Sequence, residues 1–129
     1  MSSEPKRGEV WLVSLDPTIG AEIQKTRPVI VISSDFIGKL PLKLVIPITD
    51  WKESFDLHIW HIKLEPSTQN GLTKISAADV LQTRSVDKRR FIKQLGSVGT
   101  VELSDLICKN KEISEIFFNP INSALLELF

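Results

Sequence analysis

For most of its length the chain alternates short apolar stretches with polar breaks, and then its period changes. Glu9–Leu15 reads as a first strand. Val10, Leu12 and Ser14 fall on one face, and Trp11, Val13 and Leu15 on the other. Asp16-Pro17-Thr18-Ile19-Gly20 is a turn cluster opening a long loop over residues 16–27. A loop of that length in a small domain is more often functional or mobile than idle. Val29–Ser33 is a continuous, β-branched run, the pattern of a second strand buried on both faces. A loop over Asp35–Pro41 leads to a third strand, Leu42–Thr49, whose Pro47 predicts a distorted or edge-like end.

The polar loop Asp50–Asp56 precedes a fourth strand, Leu57–Leu64, with Trp60, Ile62 and Leu64 inward and His61 and Lys63 outward. A Pro/Asn/Gly-rich turn over Glu65–Thr73 leads to a fifth, Ile75–Leu81. Gln82–Arg90 is polar and basic, and Phe91–Leu95 is a short sixth strand closed by Gly96. From Glu102 the apolar residues recur at helical spacing: Leu103, Leu106, Ile107, Ile113, Ile116 and Phe117. This predicts a helix over about 102–118, stopped by Asn119-Pro120. Ile121–Phe129 is a short apolar tail with room for a second helix. Short strands followed by one helix predict a mainly β fold, a compact barrel with a C-terminal helix.

Composition narrows the classes. At 129 residues the chain predicts one domain, residues 7–129, after a disordered tail at 1–6. Sixteen basic and sixteen acidic residues cancel, which argues against broad non-specific nucleic-acid binding but not against a local basic patch. No apolar run is long enough to span a membrane, and the first residues lack the apolar core of a signal peptide. With a single cysteine, Cys108, an intramolecular disulfide framework and a Cys-rich zinc site are excluded. The expectation is a cytoplasmic, reduced protein with no membrane partner. Cys108, beside Ile107 in an amphipathic helix, reads as a structural small side chain. His58 and His61 are three apart, which on a strand sends them to opposite faces. They read as surface histidines, and neither a metal nor another cofactor is expected.

Arg27 sits where the long loop meets the second strand, and Pro28 holds it extended. A guanidinium fixed this way can engage phosphate through two hydrogen bonds, or simply be a surface charge before a core strand. Lys88 and Arg89 belong to the densest basic run, Asp87–Arg90, which is either a solvated turn or a phosphate-binding edge. Trp51 and Phe55, in the loop after Thr49, suit base stacking with single strands or a lid on the barrel.

Arg7-Gly8-Glu9-Val10-Trp11-Leu12-Val13-Ser14-Leu15-Asp16-Pro17-Thr18, with Gly20, Glu22 and Thr26-Arg27-Pro28-Val29-Ile30-Val31, resembles the opening of the MazF/PemK toxins. These are the toxic halves of bacterial toxin–antitoxin pairs. The likeness continues through Pro47-Ile48-Thr49 and Gln82–Arg90. It implies an SH3-like barrel, a homodimer, metal-independent cleavage of single-stranded RNA at specific sequences, and a cognate acidic antitoxin. It implies catalytic roles for Arg27 and Thr49, and an RNA groove at Glu22 and Gln82–Arg84, with Arg84 on its basic side. The chain departs from many members at three positions: Ala21 for a small polar residue or His, Lys25 for Gly, and Leu81 for an acidic residue. These leave Glu22 as the carboxylate nominated for a general base. The rival from another class is a barrel that binds nucleic acid or protein but no longer cuts.

Overall fold

The structure is a computed structural model and describes residues 4–15, 25–35 and 41–117. Its strands are β1 (Glu9–Ser14), β2 (Thr26–Val31), β3 (Leu42–Asp50), β4 (His61–Leu64), β5 (Ser76–Asp79), β6 (Arg84–Asp87) and β7 (Phe91–Ser97). One helix, α1 (Thr100–Phe117), follows. The ladders run antiparallel in the order β4-β5-β3-β2-β1-β7, with β6 also on β3. The expected class, mainly β with a C-terminal helix, is borne out.

The ladder does not close on itself among the described residues, since β4 and β7 stand at its two ends. The chain between β4 and β5 crosses that gap instead. Ser97 N–H donates to Gln69 O at 2.9 Å. Two glycines permit the approach. A Cβ on Gly96 would lie 2.2 Å from Gln69 O, and one on Gly71 would lie 2.1 Å from Leu95 O. Gly71 also has a φ of +71°, in the left-handed region.

Apolar side chains fill both faces of the central strands. One cluster holds Val10, Ile30, Ile46, Ile48, Leu64 and Ala78 and takes Leu106 and Ile113 from α1. The other holds Trp11, Val13, Leu15, Val29, Val31, Val45 and Val86, with Phe91 against it. The expected two-sided burial of the second strand is therefore realised. On β1 only the Trp11–Val13–Leu15 face is wholly core; Val10 is buried, but Leu12 and Ser14 are half-buried.

Four expectations need correction. The basic stretch after Leu81 contains a strand, β6, which pairs Leu42–Val45 of β3. The fourth strand starts at His61, because Glu53–Leu57 winds into a 3-10 turn. The fifth ends at Asp79, and Val80–Gln82 is helical. Cys108 is exposed on α1 instead of packing inward. The N-terminal segment is tied down from Glu4 on: Pro5 is buried, and the Glu4 carboxylate lies 2.9 Å from Lys88 Nζ and 3.4 Å from Lys43 Nζ. Those lysines, Lys88 first, hold the Glu4 carboxyl below its ordinary pKa. The expected tail helix after Pro120 lies outside the described residues. Among the described residues no helix is long and apolar enough to cross a membrane.

Candidate active site

A change of partner along β3 builds the site. On one edge β3 pairs β2 only from Val45 to Pro47, against Val31 to Val29. On its other edge it takes β6 and then, from Ile48 to Asp50, β5. Upstream of Val29, β2 keeps β1 alone: Thr26, Arg27 and Pro28 oppose Ser14, Val13 and Leu12. The two strands therefore part beyond the Val29–Pro47 pair. A proline stands at the divergence on each strand, Pro28 and Pro47, and neither can donate a backbone hydrogen bond.

The opening is a cleft of about 250 Å³. Thr26, Arg27 and Pro28 form one wall and Ile48, Thr49 and Asp50 the other. The segment Gly71–Lys74, with Leu95 behind it, makes the floor. Arg27 and Thr49, far apart in sequence, thus meet in one cavity. Among the described residues the buried Nε of Arg27 has no hydrogen-bond partner. A buried donor left unpaired costs about 1–3 kcal/mol, so this Nε is available to an acceptor that enters the cleft. At the mouth Lys74 Nζ and Asp50 Oδ1 pair at 3.0 Å, both exposed.

The remaining candidate residues lie outside this cleft's lining or outside the described residues. Trp51 and Phe55 follow Asp50 and pack edge to face, with centroids 5.7 Å apart. Trp51 is anchored by its N–H to Ile75 O, and Lys63 Nζ lies 5.3 Å from the centre of its ring. Gln82 donates its amide to Asp79 Oδ2 at 3.0 Å. Arg84 sits on β6 opposite Val45. Lys88 pairs with Glu4, and Arg89 makes paired contacts of 3.0 and 3.1 Å to Asp87. The Arg89 side chain is the first cause that holds the Asp87 carboxyl below its usual pKa. Trp51, Phe55, Gln82, Arg84, Lys88 and Arg89 do not line the cleft. Glu22 lies outside the described residues.

Sequence reasoning missed Thr73 and Lys74. Their signal was weak: two polar residues after Gly71, in a stretch that reads as an ordinary turn. It also misplaced His61, whose side chain is only 7% exposed. The 3-10 turn swings His58 back, so the two imidazoles meet, with their Nδ1 atoms 2.9 Å apart. Among the described residues no group of three metal-ligating side chains is assembled.

Comparison with known proteins identifies the family. The family model described as PemK-like, MazF-like toxin of type II toxin–antitoxin system matches residues 6–128. A Mycobacterium tuberculosis protein named endoribonuclease MazF9 is 31% identical over 107 residues, which span 78% of this chain and 88% of that protein. Endoribonuclease EndoA of Bacillus subtilis is 28% identical over 110 residues, covering 84% of this chain and 92% of that one. The fold matches the crystal structure of MazF from Deinococcus radiodurans with a TM-score of 0.73 at 21% identity. That match covers 87% of this chain and 97% of the other. With the match spanning nearly the whole chain, this protein belongs to the PemK-like, MazF-like toxins of type II toxin–antitoxin systems.

Proposed function

We propose that this toxin is a cytoplasmic endoribonuclease that cuts single-stranded RNA at specific sequences, acts as a homodimer and is restrained by a cognate acidic antitoxin. The observation that carries the reading is the buried Arg27 Nε, unpartnered among the described residues, in a cleft shared with Thr49. A scissile phosphate would supply the missing acceptors. Deinococcus radiodurans MazF has been crystallised as a MazE–MazF complex, which supports the antitoxin.

The RNA 2′-oxygen attacks the adjacent phosphorus, and the bond from phosphorus to the 5′-oxygen breaks. The products are a 2′,3′-cyclic phosphate and a 5′-hydroxyl. One proton leaves the 2′-hydroxyl and one reaches the departing oxygen. Charge accumulates on the non-bridging oxygens in between. The guanidinium of Arg27 stabilises that charge, and Thr49 supplies a hydroxyl donor from the facing strand. A guanidinium is in general a poor proton shuttle, so the proton transfers fall to other groups. Glu22 is the nominated acceptor of the 2′-proton. Lys74 lies close enough to the cleft mouth to draw in the next phosphate. The cation in this step is the arginine, and no metal is invoked.

The test is cleavage of a long RNA in EDTA by wild type and by Arg27→Ala. The variant should fold normally and cut on the order of 10²–10³ more slowly. Arg27→Lys should also be poor, since an ammonium cannot reproduce a two-point contact. Undiminished cleavage by folded Arg27→Ala would remove the site from this cleft. Wild type that only retards RNA would instead favour the binding-barrel reading. The observation behind that rival is Leu81, which packs on the core where many members carry an acid.

A further inference from the structure

RNA cleavage moves two protons, and the cleft offers few groups able to move them. Among the described lining residues the ionisable side chains are Arg27, Asp50 and Lys74. A guanidinium releases a proton poorly, which leaves the carboxylate and the ammonium. These two are already together, with Lys74 Nζ 3.0 Å from Asp50 Oδ1.

The backbone around Lys74 is fixed. Ser76, itself buried, donates its hydroxyl to the Lys74 carbonyl at 2.9 Å. The next carbonyl, of Ile75, accepts from Trp51 N–H at 3.2 Å. Asp50 pairs with Ser76 across the β3–β5 ladder and directly follows Thr49. The ammonium is therefore set against the β3 wall, the side of the cleft that faces Arg27. An exposed ion pair adds about 0–1 kcal/mol to stability, so the fold does not depend on this one.

We propose that Lys74 is the general acid of RNA cleavage, giving an Nζ proton to the departing 5′-oxygen, and that Asp50 positions its ammonium at the cleft. The inference rests on the endoribonuclease reading and supplies the donor for its last step. As the 2′-oxygen bonds to phosphorus, the bond from phosphorus to the 5′-oxygen breaks, and its electron pair stays on that oxygen. The oxygen takes a proton from Lys74, which becomes a neutral amine and regains a proton from water. An alkoxide is a stronger base than an amine, so the transfer runs downhill. The attacking and leaving oxygens stand roughly in line on opposite sides of phosphorus, so the 2′-proton goes to a different group, the nominated Glu22.

A cation at this place could also serve by attracting phosphate alone, and the leaving group tells the two roles apart. The cut site is first mapped with wild type on a long RNA. Two short RNAs of that sequence are then compared, one ordinary and one with sulfur in place of the 5′-bridging oxygen at the cleaved linkage. A thiolate departs without needing a proton, so the sulfur RNA has no use for an acid. Single-turnover rates at saturating enzyme read the chemical step. Lys74→Ala should cut ordinary RNA roughly 10²–10⁴ more slowly, the scale of general acid catalysis, and cut the sulfur RNA at the wild-type rate. Lys74→Arg keeps the charge without the releasable proton and should show the same split. Asp50→Asn should lose less on ordinary RNA and also recover on sulfur RNA. Equal losses on both RNAs by Lys74→Arg, at a wild-type urea midpoint, overturn the proposal, because Lys74 then only holds phosphate. An undiminished rate of Lys74→Ala on ordinary RNA overturns it too. Failure of the endoribonuclease reading is separate: wild type would then leave both RNAs whole.

Discussion

Lys25 adopts a φ of +68°, a backbone conformation that a side chain resists. It is pinned there because Leu15 N–H donates to its carbonyl at 2.9 Å, just before β2 begins. Many members of the family carry glycine at this position. Lys25→Gly should therefore stabilise the fold by about 1 kcal/mol, read as a higher urea midpoint with unchanged slope. A lower midpoint would mean that the lysine side chain contributes more than the strain costs. Two residues on, Arg27 gains its role from position: Pro28 keeps it extended and β1 supports it from one side only. Thr49 is the matching case on β3. Thr49→Val, nearly equal in volume, should lower the single-turnover cleavage rate sharply with little change in RNA affinity. Trp51→Ala should weaken affinity by about 1–3 kcal/mol and leave the chemical step nearly intact. A wild-type rate for Thr49→Val would show that the hydroxyl plays no part.

At the scale of elements, the site depends on β3 serving three neighbours in turn, β6, β2 and β5. Its nine residues bend from one ladder into the next, and the edge it abandons becomes a cleft wall. The crossing between β4 and β5 makes the floor. It is the element most sensitive to a single methyl group, because Gly71 and Gly96 face backbone atoms that cannot yield. Gly71→Ala combines that clash with a positive φ and should cost on the order of 3 kcal/mol or more, measured by urea denaturation. Loss of cleavage should accompany it, since Gly71 also lines the cleft. A near-neutral result would mean that the crossing can shift away from β7.

For the whole molecule, charge is balanced and the cation supply near the cleft is local: Arg27 within it and Lys74 at its mouth. The tail sequence is rich in apolar residues, among them Leu125, Leu126, Leu128 and Phe129, which motivates the dimer expected from the resemblance. Sedimentation at micromolar concentration should give twice the 14.5 kDa of the chain. A fully active monomer would contradict the dimer.

The sequence by itself determined the strands with unambiguous signals. Val29–Ile32 is β-branched and apolar on both faces, and Leu103, Leu106 and Ile113 repeat with the helical period, so local propensity and core packing agree. It also marked Arg27, because the restriction from Pro28 is local. Tertiary structure decided the rest. Polar, charged Arg84–Asp87 became a strand because an open edge of β3 was available to it, which no period within those residues announces. His58 and His61 met because a 3-10 turn overrode the alternation of a strand. The cleft joins residues from Thr26 to Leu95, and its existence depends on where β2 and β3 part. That is a matter of which strand edge meets which, and pairing between distant segments is not written in the residues of either one alone.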